Sequence, residues 1–428
     1  MQALLSLSIA LFSGLMLSRL AKLVKLPAVT AYLVAGILIG PYVLGSLNVP
    51  GLGFISMDDI KTYSIISDVA LGFIAFSIGN EFRLSQLKKT GRQATVIGIF
   101  QALCATVLVD VALIAVHFAF PDKLPLPSAI VLGAVASATA PAATLMVVRQ
   151  YKSKGPLTDL LLPIVALDDA VGLILFAISF GVARALISGH IDMISVILEP
   201  TLEVVLSLLL GLIMGLLFSH FEKFFHSRSK RMAMSVTFVL LTVALSMLNF
   251  QIGGINIAFS SLLVCMMLGT VFCNVCDFSE ELMERIDRWS APLLILFFVI
   301  SGAELELSVF TNGIIIFIGI VYIIVRCLGK YYGAFLSAKA VKCDSKVVKY
   351  LGITLFPQAG VALGMAIKAE SLGSEGSIVA NITLFSVLIY ELVGPYLTKV
   401  ALMKAGEISP EGKVSAREEH LKQKQQKA

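Results

Sequence analysis

Apolar runs long enough to cross a bilayer recur from one end of this chain to the other. Thirteen are read, at roughly 3–18, 29–44, 63–79, 94–119, 127–148, 159–186, 193–219, 232–249, 255–273, 289–308, 312–338, 347–369 and 376–401. Hydrocarbon offers no partner to backbone N–H and C=O groups, so runs of this length must satisfy themselves as helices. Composition agrees. The 428 residues are 57% hydrophobic and only 14% charged, with mean hydropathy +0.92, whereas an average soluble domain is about a quarter charged. The expected class is an all-α polytopic membrane protein with about 13 transmembrane helices. Runs four, six and eleven are long enough to tilt or bend.

Lys and Arg fall on alternate sides very unequally. Taking the spans in turn, 27 lie on one side and 4 on the other (Lys61, Lys123, Arg184, Lys368), with Arg326 and Lys330 inside run eleven. Basic residues favour the cytoplasm, so the N-terminus is expected outside and the C-terminus inside, in the cell (inner or plasma) membrane. No basic segment precedes the first run, Ala3 to Leu17, which reads as an uncleaved helix. The formal net charge of +5 belongs to this asymmetry and gives no reason to expect nucleic acid. Residues 403–428 are charged and poor in apolar side chains, and read as a short, disordered cytoplasmic tail. Cys273 and Cys276 form a lone CxxC without a second pair, and the five His show no ligand spacing.

Two runs are interrupted. Run five, "IVLGAVASATAPAATLMVV", has Thr139 to Pro141 near its middle, and run twelve, "LGITLFPQAGVALGMAI", has Pro357 and Gly360. Proline removes a donor and clashes with the preceding turn. The runs are seven apart, and an odd offset makes them cross the membrane in opposite directions. Paired broken helices in inverted halves point to a transporter's ion site at mid-membrane, where unwound carbonyls and half-helix ends supply partial charges.

The same offset pairs run six with thirteen and run four with eleven. Run six carries "IVALDDAVGLILF", with Asp168 and Asp169 adjacent in an apolar stretch; run eleven carries Arg326 and Lys330. A lone carboxylate at that depth costs several kcal/mol, and two repel, so a partner, a proton, a cation or water is required. Arg326 and Lys330 are four apart and share a helix face. Gly329 and Gly333 thin the surface beside them. Lys330 is the expected partner for one Asp, while Arg326 either snorkels or binds another carboxylate. Consecutive helical residues point about 100° apart. One Asp therefore faces Lys330 and the other a water-filled cavity. A purely structural double salt bridge is the alternative. Asp68, Asp110 and Glu391 are secondary candidates for the ion path; Glu81, Glu304 and Glu306 sit at span ends.

"LPAVTAYLVAGILIGP", "VALGFIAFSIGNEF", "GINIAFSSLLVCMMLGTV", "LFFVISGAELEL", "RCLGKYYGAF" and "ELVGP" occur in order over residues 20–400. Together they resemble the monovalent cation–proton antiporter-2 family, and within it the bacterial sodium–proton antiporters. The resemblance implies inverted repeats with two crossed, unwound helices, and a homodimer. It implies a division into dimerisation segments 1–93 and 231–310, core ion-transport segments 94–190 and 311–402, and a linker helix at 191–230. It implies that Asp169 is the cation-binding aspartate, with Asp168 the variable position before it, and that Lys330 pairs with that first acidic position. Thr139, Pro141 and the Pro357–Gly360 stretch match the crossed segments, although "TAPAAT" departs from the Thr-Ser-Pro form of many relatives.

The expected function is exchange of sodium, or another monovalent cation, for protons. It would proceed by elevator-like alternating access and be electrogenic, with Asp168 and Asp169 as ligands. No enzyme activity is expected, and no cofactor besides the transported ions. A potassium–proton antiporter is the rival within transport; a channel-like or sensory membrane protein is the rival outside it.

Overall fold

The computed structural model describes residues 2–23, 26–47, 49, 53–80, 82–188, 198–252, 255–276, 278–305 and 313–408. The described part is a bundle of helices: α1 (Gln2–Leu23), α2 (Ala28–Ile39), α3 (Met57–Lys61), α4 (Ser64–Gly79), α5 (Leu84–Ala119), α6 (Leu126–Val135), α7 (Pro141–Tyr151), α8 (Pro156–Ser188), α9 (Glu199–Glu222), α10 (Arg228–Ser246), α11 (Ser261–Val275), α12 (Ser279–Glu304), α13 (Gly313–Ala340), α14 (Ser345–Thr354), α15 (Gly360–Ala369) and α16 (Ser374–Ala405). Eight are long and apolar enough to cross a membrane unaided, and α2, α4, α6 and α11 are shorter apolar helices. Each of the thirteen runs becomes one helix or, for runs five and twelve, two half-helices.

Extents differ from expectation in three places. Helix α5 begins at Leu84 rather than near 94, so the basic stretch "LSQLKKTGRQ" is helical and the 36 residues extend about 54 Å. Helix α12 begins ten residues before its apolar run. There "SEELMERIDR" is held by i,i+4 pairs, Arg285 to Glu281 at 3.2 Å and Arg288 to Glu284 at 2.5 Å. Charged amphipathic extensions are invisible to a hydropathy reading. Run nine starts late for the opposite reason. Ile255–Ile257 pairs antiparallel with Phe250–Ile252 as a two-stranded hairpin, and α11 starts only after the Ser260 cap. Glu81, Glu306, residues 191–197 of the linker and tail residues 409–428 lie outside the described residues, whereas the start of the expected disordered tail is ordered: α16 runs to Ala405 and Glu407 contacts the start of α8.

The two breaks have local causes. Pro141 is the first residue of α7, and the Ala140 before it is extended (φ −81°, ψ 107°), as the residue preceding proline prefers. Pro357 stands between α14 and α15 and has no N–H to continue the helix. The segments cross: the Ala140 N–H donates to the Pro357 carbonyl at 2.8 Å. Gly394 on α16 lets that helix lie against Pro357, with an added Cβ 3.0 Å from the Pro357 Cα. Gly360 has open space around it, so it serves the break as the start of α15 and not as a point of close approach.

The inverted repeat is written in two glycine crossings. Helix α2 meets α12 where a Cβ on Gly36 would strike the Val299 carbonyl, and one on Gly302 the Leu33 carbonyl. Helix α4 meets α11 in the same way, with Gly79 against the Met266 carbonyl and Gly269 against that of Phe76. A shift of seven runs carries the first crossing onto the second with the direction reversed. Such backbone approach is how helices associate where burial from water gives no drive. Gly329 and Gly333 of α13 do the same against Ala105 and Gln101 of α5.

Two devices fix the end of the bundle where α8 begins. The Glu407 carboxylate, just past α16, accepts the α8 backbone N–H groups of Leu157 at 2.7 Å and Thr158 at 2.9 Å. This caps the helix that carries the aspartate pair. Arg149, at the end of α7, pairs with Asp287 of α12 at 2.7 Å, and Gln150 accepts the Ala28 N–H at 2.8 Å. A single apolar cluster, including Ile39, Leu145, Leu161, Val299 and Leu402, closes the interior around them.

A glycine crossing should tolerate no side chain. Replacing Gly302 by Leu forces backbone against backbone and is expected to cost about 1–3 kcal/mol or more, read as a lower melting temperature of the detergent-solubilised protein. Gly313→Ala, where nothing lies within 4 Å, should melt as the parent does. Equal melting of both variants would mean that α2 and α12 do not meet there.

Candidate ion site

Asp168 and Asp169 sit midway along α8, buried (0% and 5% exposed), and face different surroundings. Asp168 is fully engaged. Its Oδ2 accepts the Lys330 ammonium at 2.8 Å and the Thr139 hydroxyl, and its Oδ1 accepts Gln101 Nε2 from α5 at 2.5 Å. Lys330 in turn spends all three donors, on Asp168, on Thr139 Oγ1 at 2.9 Å and on the Ser137 carbonyl. The expected Asp168–Lys330 pair is therefore present, and Thr139 belongs to it.

Arg326 corrects its expectation. It neither snorkels nor meets a carboxylate, but is fully buried with its guanidinium in the crossing. Nε donates to the Ala136 carbonyl at 3.0 Å, Nη1 to Phe356 at 2.8 Å and Nη2 to Ala138 at 2.5 Å. The group lies 4.5 Å from the centre of the Tyr390 ring. A guanidinium suits this place because its planar fork of five donors can serve several carbonyls at once. Gln358 takes the Val135 carbonyl at 2.8 Å and the Tyr322 hydroxyl at 3.0 Å. The carbonyls from Val135 to Ala138, with Phe356 and Pro357, thus each have a donor. The unwound carbonyls expected to supply partial charge at mid-membrane are here committed to Arg326, Lys330, Gln358 and the Ala140 N–H. The rival double salt bridge fails on the same observation, because Arg326 makes no ion pair with either aspartate.

Asp169 contrasts with Asp168. Its Oδ1 is buried without a hydrogen-bond partner, and the residue forms the floor of a cavity of about 270 Å³ bounded by α8, α9, α11 and α15. An unpaired carboxylate oxygen in a buried site is costly, and it is a hard anionic ligand of the kind a dehydrated alkali cation accepts. Asp168 and Asp169 thus divide as expected, one toward Lys330 and one toward a cavity. In this state Asp169 alone of the pair has an uncommitted oxygen.

The secondary candidates are not gathered here. Glu391, buried on α16, has Glu304 as its charged neighbour, and Glu304 has Asp68. These three form a separate acidic group on α16, α12 and α4. Asp110 on α5 lies against Gly133 of α6. Pro141 and Pro357 set the breaks without contributing a side-chain polar group. Cys273 and Cys276 are free thiols.

Several site residues escaped the sequence reading. Gln101, in "IFQALCATVLV", was signalled only as a lone amide in an apolar run. Gln358 was overlooked beside Pro357. Ser137 acts through its backbone carbonyl, which leaves no trace in residue identity. Glu203 and Lys368 line the Asp169 cavity, and nothing in the local sequence marks either as near the aspartates.

Comparison with known proteins bears on the fold and the family. The chain is 24% identical over 354 residues to the Na(+)/H(+) antiporter NhaS4 of Synechocystis, covering 81% of this chain and 83% of that protein. Its fold is similar to two structures of the sodium proton antiporter MjNhaP1 from Methanocaldococcus jannaschii. One, at pH 8, has TM-score 0.67 and 20% identity over 95% of this chain and 99% of that one; the other, from electron microscopy, has TM-score 0.70 and 17% identity over 94% of each. The model of the transmembrane sodium/hydrogen exchanger family matches residues 7–404, and the chain, a multi-pass helical membrane protein with an uncommitted carboxylate beside two crossed, broken helices, belongs to that family.

Proposed function

We propose that the protein exchanges sodium, or another monovalent cation, for protons, with Asp169 as the group that binds each in turn. The observation that carries this is the contrast within the aspartate pair. Asp168 is saturated by Lys330, Thr139 and Gln101, while the buried Asp169, which borders a cavity, keeps one oxygen without a partner. Shared family membership with sodium/hydrogen exchangers supports the same reading.

The chemistry follows from competition. A proton and a cation both neutralise the Asp169 carboxylate, and either makes it cheaper to hold in a low-dielectric interior. A cation large enough to draw on Asp168 as well competes with the Lys330 ammonium. Lys330 then loses its counter-ion and sheds its proton to solvent. One cation bound against two protons released makes each cycle move net charge. Alternating access is assigned to a core of α5–α8 and α13–α16 that moves, elevator-like, against a dimerisation unit of α1–α4 and α10–α12, linked by α9, in a homodimer. The bundle lies in the cytoplasmic membrane with its basic face inward and its N-terminus outside. Asp68, Arg326 and Glu391 are left outside direct ion binding: Arg326 holds the crossing, and Asp68 and Glu391 belong to the second acidic group.

In vesicles, Asp169→Asn keeps the shape of the side chain but removes charge and titratable proton, and exchange should fall to background. Exchange at the parent rate would remove Asp169 from the mechanism.

Electrogenicity has its own readout. In proteoliposomes, an imposed potential of either sign should speed or slow exchange in the parent. Indifference to the potential would refute the two-proton stoichiometry.

The pH dependence has a definite sign. Lowering pH protonates the site carboxylates, so sodium should bind less well and its half-saturating concentration should rise. The limit for one-proton competition is about tenfold per pH unit. At high pH proton uptake becomes limiting, giving a bell whose limbs report the coupled group. Lys330→Gln, lacking the competing ammonium, should change the shape of the acid limb. Half-saturation by sodium, measured across pH in both proteins, checks this; a flat parent curve would mean that proton and cation do not share these carboxylates.

A further inference from the structure

The cavity above Asp169 holds two more charges, on helices with different packing partners. Glu203 is near the start of α9, which packs chiefly on α11 and α10; Lys368 is at the end of α15, which packs chiefly on α16. The remaining wall is mostly apolar, with Phe176, Leu262 and Met365 among its residues, and Ser260 adds a hydroxyl. Lys368 is the charged group whose field is felt at Glu203. Along α8 the cavity runs from Asp169 toward Ala177, away from the end where Arg149 pairs with Asp287. The route is thus walled off at one end of the bundle and reaches Asp169 from the other.

Consider the charges a cation meets on this route. With Asp169 ionised and Lys368 protonated, the cavity would be neutral without Glu203, and a cation would cross an apolar wall with no net attraction. Glu203 brings the total to one negative charge, which concentrates cations in a low-dielectric cleft. Glu203 borders the cavity from α9 and Lys368 from α15, so a cation that is still hydrated passes the carboxylate on its way to Asp169. Lys368 offers the same carboxylate a competing positive charge.

We propose that Glu203 is an access subsite for a hydrated monovalent cation on its way to Asp169, and that Lys368, across the cavity, is its built-in competitor, so that the pair acts as a charge gate. This rests on the antiport reading and adds to it where the ion waits and what opposes it. A cation at Glu203 displaces Lys368 electrostatically. Without one, attraction between the carboxylate and the ammonium draws the α9 and α15 walls together over Asp169.

The test is sodium half-saturation at low ionic strength in proteoliposomes of the full chain. Glu203→Gln should raise it by about threefold and Lys368→Gln lower it by about the same factor, the scale of a partly screened charge pair. The double variant should lie nearer the parent than either single one. The changes should fall on half-saturation more than on maximal rate, and should shrink when an inert salt such as choline chloride shortens the screening length. Tighter sodium use by Lys368→Gln cannot arise from poor folding, which keeps the proposal falsifiable if Glu203→Gln expresses badly. If the parent exchanges sodium and the variants share its half-saturation, the charge gate is wrong and the antiport reading stands. If the parent exchanges no cation for protons, both fall.

Discussion

The structure depends on how the backbone of two broken helices is satisfied in the middle of a membrane. Breaking a helix there exposes carbonyls that neither lipid nor water can serve. Arg326 and Lys330, one turn apart on α13, carry four of them; Gln358 and the Ala140 N–H take two more. These cations are the converse of what a helix end usually offers. A carbonyl-rich terminus attracts positive charge, and here the positive charge is built into the chain. That is why α13 carries two basic residues in an otherwise apolar run, and why Gly329 and Gly333 clear its approach to α5.

Once the crossing has claimed the two cations, the aspartates cannot be equivalent. Lys330 has one donor left for a carboxylate, and Asp168 receives it together with Thr139 and Gln101. Asp169, about 100° further round the helix, is left to the cavity. Division of labour between adjacent identical residues thus follows from helical geometry and donor counting. It needs no difference in the carboxylates themselves. The contrast within the pair is what marks Asp169: both Asp168 oxygens are engaged, while Asp169 keeps one without a partner.

The legible part of this site was the part expressed in residue types that a membrane penalises. Two aspartates, a lysine and an arginine in apolar runs, and two prolines at matching places, were enough to find the pair, the breaks and the partner. The role of Arg326 was not legible, because its partners are backbone carbonyls, which every residue possesses. Gln101 was hidden because an amide costs less in an apolar run than a charge and draws less notice. The early starts of α5 and α12 were lost to hydropathy because the extensions "LSQLKKTGRQ" and "SEELMERIDR" are rich in polar and charged residues. The nearness of Glu203 to Lys368 joins helices 165 residues apart in sequence, and no local pattern encodes it.

Inverted symmetry gives these parts a common logic. The Gly36–Gly302 crossing of α2 and α12 and the Gly79–Gly269 crossing of α4 and α11 are the same joint used in opposite directions. The two joints are therefore alike in backbone, whereas the two ends of the bundle are held differently. At the α8 start, Arg149, Asp287, Gln150 and Glu407 make direct contacts over an apolar cluster. At the other end, Glu203 and Lys368 border a cavity. In the exchange proposed above, bonds that hold one end shut would break when the cavity end closes, which would require the two sets to be close in free energy. Partly exposed ion pairs are worth about 0–1 kcal/mol each, weak enough to be traded within one cycle. A fully buried pair such as Asp168–Lys330 could not be traded so cheaply. In the proposed exchange its opening would be tied to the arrival of the cation that replaces it.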